Sequence, residues 1–284
     1  MKWSKLLRCA FLPLLALAFS AAAQQNYKYL EKLETPYVPT NQPTVDAMLR
    51  IANVGPDDYV IDLGSGDGRI LITAAKYRGA RGFGVDLDPQ LVRESLDNAK
   101  AAGVSDRVRF HQRDLFKTKI SDATVVTMYL LPHVNLELRP RLFAELKPGT
   151  RVVSHDFHMG DWKADIEAGV RGYGSRIYFW VIPAQVGGRW RLSIEQPQGA
   201  QAYEMELQQI YQEIDGSARY AGKPVYLRDA RLEGERISFI LVDGADYSHV
   251  QRFEGRVNGN LIEGTVRGEG TAPSAQYKWR ATRS

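Results

Sequence analysis

The stretch Asp62-Leu63-Gly64-Ser65-Gly66-Asp67-Gly68-Arg69-Ile70 sets three glycines at alternate positions directly behind the apolar run Tyr59-Val60-Ile61. Such a run ending in bare backbone reads as a strand turning sharply into a helix, which aims backbone N–H groups at a ligand. Outward from it, strand-like runs at Gly82–Asp86, Val108–His111, Ala123–Met128 and Arg151–His155 alternate with helical patterns at Arg69–Lys76, Pro89–Ala102 and Arg139–Leu146. Pro89 suits a first helical turn and Gly103 a C-terminal cap. Strict alternation with near-continuous apolar strands predicts an α/β, doubly wound, mainly parallel sheet covered on both faces. Ligands of such sheets sit at the carboxyl ends of the strands, where the glycines lie.

The texture changes near residue 185. Helical periodicity stops, and short alternating runs follow at Trp190–Ile194, Tyr203–Gln208, Val225–Leu227, Arg236–Leu241, Arg252–Val257, Leu261–Val266 and Tyr277–Ala281, with Asn258-Gly259-Asn260 as a hairpin signal between two of them. The expectation is an α/β unit over 24–184 followed by a small antiparallel all-β barrel or sandwich over 185–284.

Residues 1–23 read as a secretory signal: Lys2, Lys5 and Arg8, an apolar stretch from Cys9 to Phe19, then Ser20-Ala21-Ala22-Ala23 ahead of Gln24. That stretch is shorter than the roughly 20 residues a spanning helix needs, so cleavage after Ala23 and a periplasmic location are expected, with an uncleaved membrane anchor as the alternative. Cys9 is the one cysteine of the chain, so the mature protein is expected to use no disulfide, thiolate metal site or Cys nucleophile. Of 37 basic and 33 acidic residues, three basic ones fall in the signal. A mature chain near neutrality has no electrostatic footprint for a nucleic acid.

Three ligands compete for the glycine loop. A P-loop needs Lys followed by Ser or Thr where Arg69-Ile70 stands, which excludes it. A dinucleotide fingerprint needs its third glycine at position 69, which is Arg69, so that alternative is weakened. The third ligand is S-adenosylmethionine, whose Rossmann-like methyltransferases carry an acidic-x-G-x-G-x-G loop that Asp62-Leu63-Gly64-Ser65-Gly66-Asp67-Gly68 resembles throughout. Its carboxylate can lie near the helix N-terminus and its ammonium within reach of Asp62. Asp86, 22 positions after Gly64, sits where an acid meets ribose hydroxyls; Asp88 competes with it, or caps the next helix through Asp88-Pro89. Asp114 occupies the place where this class contacts the adenine amino group, or is a turn Asp bonded to its own backbone.

Tyr37-Val38-Pro39-Thr40 ahead of a helix with Val45, Met48 and Leu49, then "DLGSGDGRI", "DLDPQLV" and "RDLF", together resemble the ATP synthase c-subunit lysine N-methyltransferases and their bacterial relatives, over residues 36 to 161. The resemblance implies a Rossmann-like fold, S-adenosylmethionine as cofactor, and methylation of a protein lysine or another amine. It also implies lid contacts from Tyr37 and Thr40. The Met128-Tyr129-Leu130-Leu131-Pro132 stretch lacks the Asn/Asp-Pro-Pro-aromatic signature of adenine and glutamine methylation. Tyr129 at a strand end could line the transfer channel, and His155 and Asp156 in "SHDFHMGDW" could relieve an acceptor of its proton; with His158 they form too thin a ligand set to predict a metal. The alternative from another class is an exported, non-catalytic binding protein that keeps the fold. Nothing in the sequence marks an oligomeric state.

Overall fold

The computed structural model describes residues 37–197, 199–243, 249–269 and 276–284. The expected signal at 1–23 lies outside the described residues. Helix α1 (Gln42–Ile51) starts at Asn41, whose side chain accepts the Thr44 N–H at 3.0 Å. Then β1 (Tyr59–Leu63), α2 (Arg69–Arg78), β2 (Arg81–Asp86), α3 (Pro89–Ala101), β3 (Val108–Gln112), β4 (Val125–Met128), α4 (Pro132–Glu145) and β5 (Arg151–His155) alternate as the periodicity predicts. Two further strands, β6 (Ile166–Gly169) and β7 (Arg176–Val181), complete a seven-stranded sheet in the order β3-β2-β1-β4-β5-β7-β6. The first five strands are parallel; β7 runs antiparallel to β5, and β6 to β7.

Both faces are covered, which is why β1, β4 and β5 are apolar on both sides. Val45, Met48 and Leu49 of α1, Leu71 of α2 and Val92 of α3 pack on one face; Val134, Leu138 and Leu142 of α4 pack with Ile120 and Trp162 on the other. Helix α4 begins at Pro132, seven residues before the expected start at Arg139. Pro132 takes the first turn, where its missing N–H costs nothing, and Pro140 is tolerated inside the helix on an exposed side.

Eight strands follow as an antiparallel meander: β8 (Gly188–Gln196), β9 (Gly199–Ile210), β10 (Glu213–Tyr220), β11 (Lys223–Glu233), β12 (Arg236–Asp243), β13 (His249–Asn258), β14 (Leu261–Glu269) and β15 (Gln276–Arg283). Strand β15 pairs with β8, Trp279 opposite Ile194, so the sheet closes into a barrel rather than a sandwich. The expected hairpin is present and turns on the two residues Gly259 and Asn260, Asn258 pairing with Leu261. Trp190, Tyr203, Phe239, Phe253 and Trp279 fill the interior, while Arg191, Glu204, Glu206, Glu263 and Lys278 face outward. Apolar inside and charged outside is the reverse of a membrane-spanning barrel.

Candidate active site

The glycine loop hangs from its neighbouring strand: the N–H groups of Gly64 and Ser65 both donate to the Val85 carbonyl at 2.9 Å. All three glycines have left-handed backbone, with φ of +76° at Gly64, +54° at Gly66 and +82° at Gly68. A Cβ on Gly66 would lie 2.5 Å from the ring of Tyr37, and one on Gly68 2.6 Å from that of Phe110. Bare backbone is therefore needed for conformation and for close approach. Gly68 caps α2, whose first N–H groups face the loop.

Asp86 ends β2 and shapes the same loop. Its Oδ2 accepts the Gly66 N–H at 2.9 Å and its Oδ1 the Asp88 N–H at 2.9 Å. Burial raises its carboxyl above the usual range against those two bonds. Asp88 caps α3 by accepting the Gln90 N–H at 2.7 Å, the helix-opening role that Asp88-Pro89 suggests. Asp114 likewise accepts the Phe116 N–H at 2.8 Å in a short 3-10 turn, yet it lines the same cavity as Asp86, Leu115 and Phe116.

That cavity, about 880 Å³, runs along the carboxyl ends of β1 to β4. Tyr37 to Thr40, Gly64 to Asp67, Asp86, Asp114, Tyr129 and Leu130 lie on its wall. Asp62, Gly68, His155 and Asp156 are not on that wall. Asp62 is fully buried: Oδ1 accepts the Thr127 hydroxyl at 2.6 Å, Oδ2 has no partner, and burial pushes its carboxyl up to about 7. The Ser65 hydroxyl is also buried and unpartnered. Two orphaned polar groups under and on a bare loop fit a zwitterionic amino-acid group, since buried polar atoms need partners.

The segment ahead of α1 straps across the loop. The Tyr37 ring rests on Gly66, and its hydroxyl is raised by burial and by Asp67. The Arg69 guanidinium grips Asp67 at 2.6 to 3.0 Å and donates to the Thr40 carbonyl at 2.8 Å. Thr40, buried, meets His155 Nδ1 through its hydroxyl at 3.1 Å.

On the far side, the Tyr129 and His155 rings lie 3.9 Å apart, and Tyr129 stacks on Phe157 at 6.0 Å. The Tyr129 hydroxyl donates to Asp156 Oδ2 at 3.4 Å; Asp156 Oδ1 accepts the Arg176 N–H at 2.7 Å. His155 Nε2 is 3.3 Å from Asp156 Oδ2 but not aligned for a hydrogen bond. Burial lowers the His155 imidazole, Asp156 opposing it, and raises the Tyr129 hydroxyl. His158 turns away and accepts the Gly160 N–H at 2.9 Å.

Several of these residues escape sequence reasoning. Thr127 pairs with Asp62 across β1 and β4, and neither it nor Phe157 carries a motif; the two-residue spacing of Asp67 and Arg69 was the one usable sign.

This fold and this arrangement of loop and acids define a class I S-adenosylmethionine-dependent methyltransferase. Residues 62–166 match the family model of the ANTKMT methyltransferase domain. A protein-lysine N-methyltransferase of Saccharolobus islandicus is 47% identical over 150 residues, 52% of this chain and 93% of that protein. The human ATP synthase c-subunit lysine N-methyltransferase is 33% identical over 136 residues; the match spans 48% of this chain and 58% of that protein. A crystal structure from Salinibacter ruber, described as an RNA methyltransferase with S-adenosyl-L-homocysteine, is 55% identical, covering 52% of this chain and 96% of that one with a TM-score of 0.51. The chain belongs to the protein-lysine N-methyltransferase family and its cofactor is S-adenosylmethionine; the family-model match, at 62–166, ends before the barrel.

Proposed function

We propose that this chain methylates a protein lysine, or a comparable primary amine, at the Tyr129 end of the cavity. In this proposal Tyr37, Thr40, Asp62, Gly64, Ser65, Gly66, Gly68, Asp86 and Asp114 hold the cofactor. The observation that carries it is a cavity with two unlike ends: unpartnered polar groups under the glycine loop, and an aromatic wall of Tyr129 backed by Asp156 and His155. Bound S-adenosylmethionine supplies a methyl group on a sulfonium, an electrophile that rewards alignment and dryness more than acid–base work.

A lysine nucleophile must arrive without its proton. The Tyr129 hydroxyl donates to Asp156, which leaves its oxygen free to accept an N–H from the amine and aim the nitrogen. Asp156, in contact with that hydroxyl, is placed to take the proton, and His155, held neutral by burial, can share it. The lysine assignment is supported by the names of the archaeal and human relatives, and by the near-neutral charge outside residues 1–23. The methyltransferase unit is taken as 24–184 and the β unit as 185–284, with the mature protein exported to the periplasm after cleavage of 1–23. Export is supported by the sequence pattern of that segment.

The test incubates the chain from Gln24 with methyl-tritiated S-adenosylmethionine, cell protein and cell RNA in separate tubes, followed by amino-acid analysis. Label in methyllysine supports the assignment. Label in RNA alone, or none in a protein that binds S-adenosylhomocysteine, overturns it. Osmotic-shock fractionation of cells tests the location.

A further inference from the structure

The archaeal relative is covered over 93% of its length by 150 residues of this chain, which leaves it too short to hold both the sheet and the barrel. The barrel is therefore an addition to a core that is sufficient elsewhere. Its contacts show which half of the chemistry it touches. Among the described residues, none of those lining the cofactor cavity comes from the barrel. One junction lies at the amino-terminal edge of the sheet, where the Ala184 N–H donates to Gly234 at 2.7 Å. The other is the tip of the β9–β10 hairpin, and it grips the segment that follows β5.

The tip is the two-residue turn Tyr211-Gln212, closed by Ile210 pairing with Glu213, with Tyr211 at φ +56°. That left-handed backbone is what a two-residue hairpin turn requires. The Tyr211 ring stacks on Phe143 of α4 at 5.5 Å and on Trp162 at 6.1 Å, and its hydroxyl donates to Asp161 at 2.9 Å. Gln212 accepts the Trp162 indole N–H at 2.8 Å and donates to the Lys163 carbonyl at 2.8 Å. Lys163 pairs with Glu213 at 2.9 Å. The gripped segment runs back through Met159, bonded by Arg139, to Phe157, whose carbonyl Asn135 holds at 3.2 Å. Phe157 and Asp156, together with His155, brace Tyr129.

We propose that the barrel governs acceptor use: Tyr211 and Gln212 are positioning residues that fix residues 156–165, and through them the acceptor face of Tyr129, without touching the cofactor. This rests on the assignment of the Tyr129 end to the acceptor. It explains why an added domain spends its best-defined contacts on this segment, since small misplacements at a transfer site are costly while the cavity itself needs no help.

The experiment uses the full mature chain with Tyr211→Phe, Tyr211→Ala and Gln212→Ala. Hydrogen exchange is followed at 157–163 and at 64–68, S-adenosylhomocysteine binding by calorimetry, and methyl transfer to Nα-acetyl-lysine methylamide and to a lysine-centred heptapeptide library. Expected are faster exchange at 157–163 with 64–68 unchanged, cofactor affinity within about twofold, and peptide KM raised roughly tenfold or more in the alanine variants, as misplacement of an acceptor predicts. Tyr211→Phe, which keeps the stacking and loses one bond, falls between. Exchange and cofactor binding that change together, or acceptor kinetics that do not change, overturn the proposal. A wild-type protein that binds cofactor yet methylates no amine removes the acceptor assignment itself, whereas active variants indistinguishable from wild type remove this inference alone.

Discussion

Thr127 and Asp62 face each other across β1 and β4, and the Thr127 hydroxyl satisfies Oδ1 of the carboxylate at 2.6 Å while Oδ2 stays buried without a partner. Burial pushes its carboxyl from the ordinary 3.8 up to about 7. A carboxyl raised in the fold is protonated there while the unfolded chain ionises, so its contribution to stability falls as pH rises between those values and is level above. Asp62→Asn is expected to remove that slope in ligand-free urea unfolding between pH 4 and 7. A cationic ammonium needs the charged form, so the same variant should bind S-adenosylhomocysteine more weakly above pH 7. Equal binding by wild type and variant across that range would show that Asp62 meets no ammonium.

Gly66→Ala places a methyl group 2.5 Å from the Tyr37 ring in a backbone at φ +54°. Cofactor affinity should drop roughly tenfold or more, of which the left-handed backbone accounts for about 1–2 kcal/mol. Adding Tyr37→Ala relieves the clash alone, so calorimetry on the double variant should recover part of the loss. Full recovery would mean that the left-handed backbone is unimportant.

Asp86→Ala orphans the N–H groups of Gly66 and Asp88 together. Hydrogen bonds to a charged group contribute about 1.5–3 kcal/mol, so cofactor affinity should fall at least about tenfold. Asp86→Asn, which keeps one acceptor, should lose less; the ranking of the two Kd values is the measurement.

Tyr129→Phe removes the bond to Asp156 and keeps the stacking on Phe157. If the hydroxyl aims the acceptor, kcat falls about a hundredfold, a common size for one misaligned group, while S-adenosylhomocysteine affinity holds. A variant with unchanged kcat excludes Tyr129 from acceptor alignment.

The parallel sheet was legible because β1, β4 and β5 are buried on both faces and write largely apolar cores such as Val60-Ile61, Val125-Val126 and Val152-Val153. Strand β6 was not: Ile166-Glu167-Ala168-Gly169 lies at the sheet edge, mostly exposed, with nothing to impose a pattern. Strand β7 carries an apolar run in Ile177–Trp180, but the alternation with helices that would mark it as a sheet strand stops before it. In the barrel, β10 turns Gly216 and Ala218 inward, residues too small to register as an apolar alternation. The cofactor side was legible because a glycine loop needs its spacing within one stretch of chain. The acceptor side was only partly so, since Thr40 meets His155 across 115 positions.

Closure of the barrel fixes an order of events in time. The sheet that carries the cofactor cavity is complete at Val181, and every described residue lining that cavity precedes it. A chain emerging amino-terminus first can assemble this half while the barrel does not yet exist. Strand β8, the first of the barrel, must wait for β15 to be made before its second edge is paired. Between those moments it is an open edge, the kind of surface on which chains join one another. Chains stopped before Gln276 are therefore expected to keep an intact cofactor cavity and to aggregate through the unfinished half.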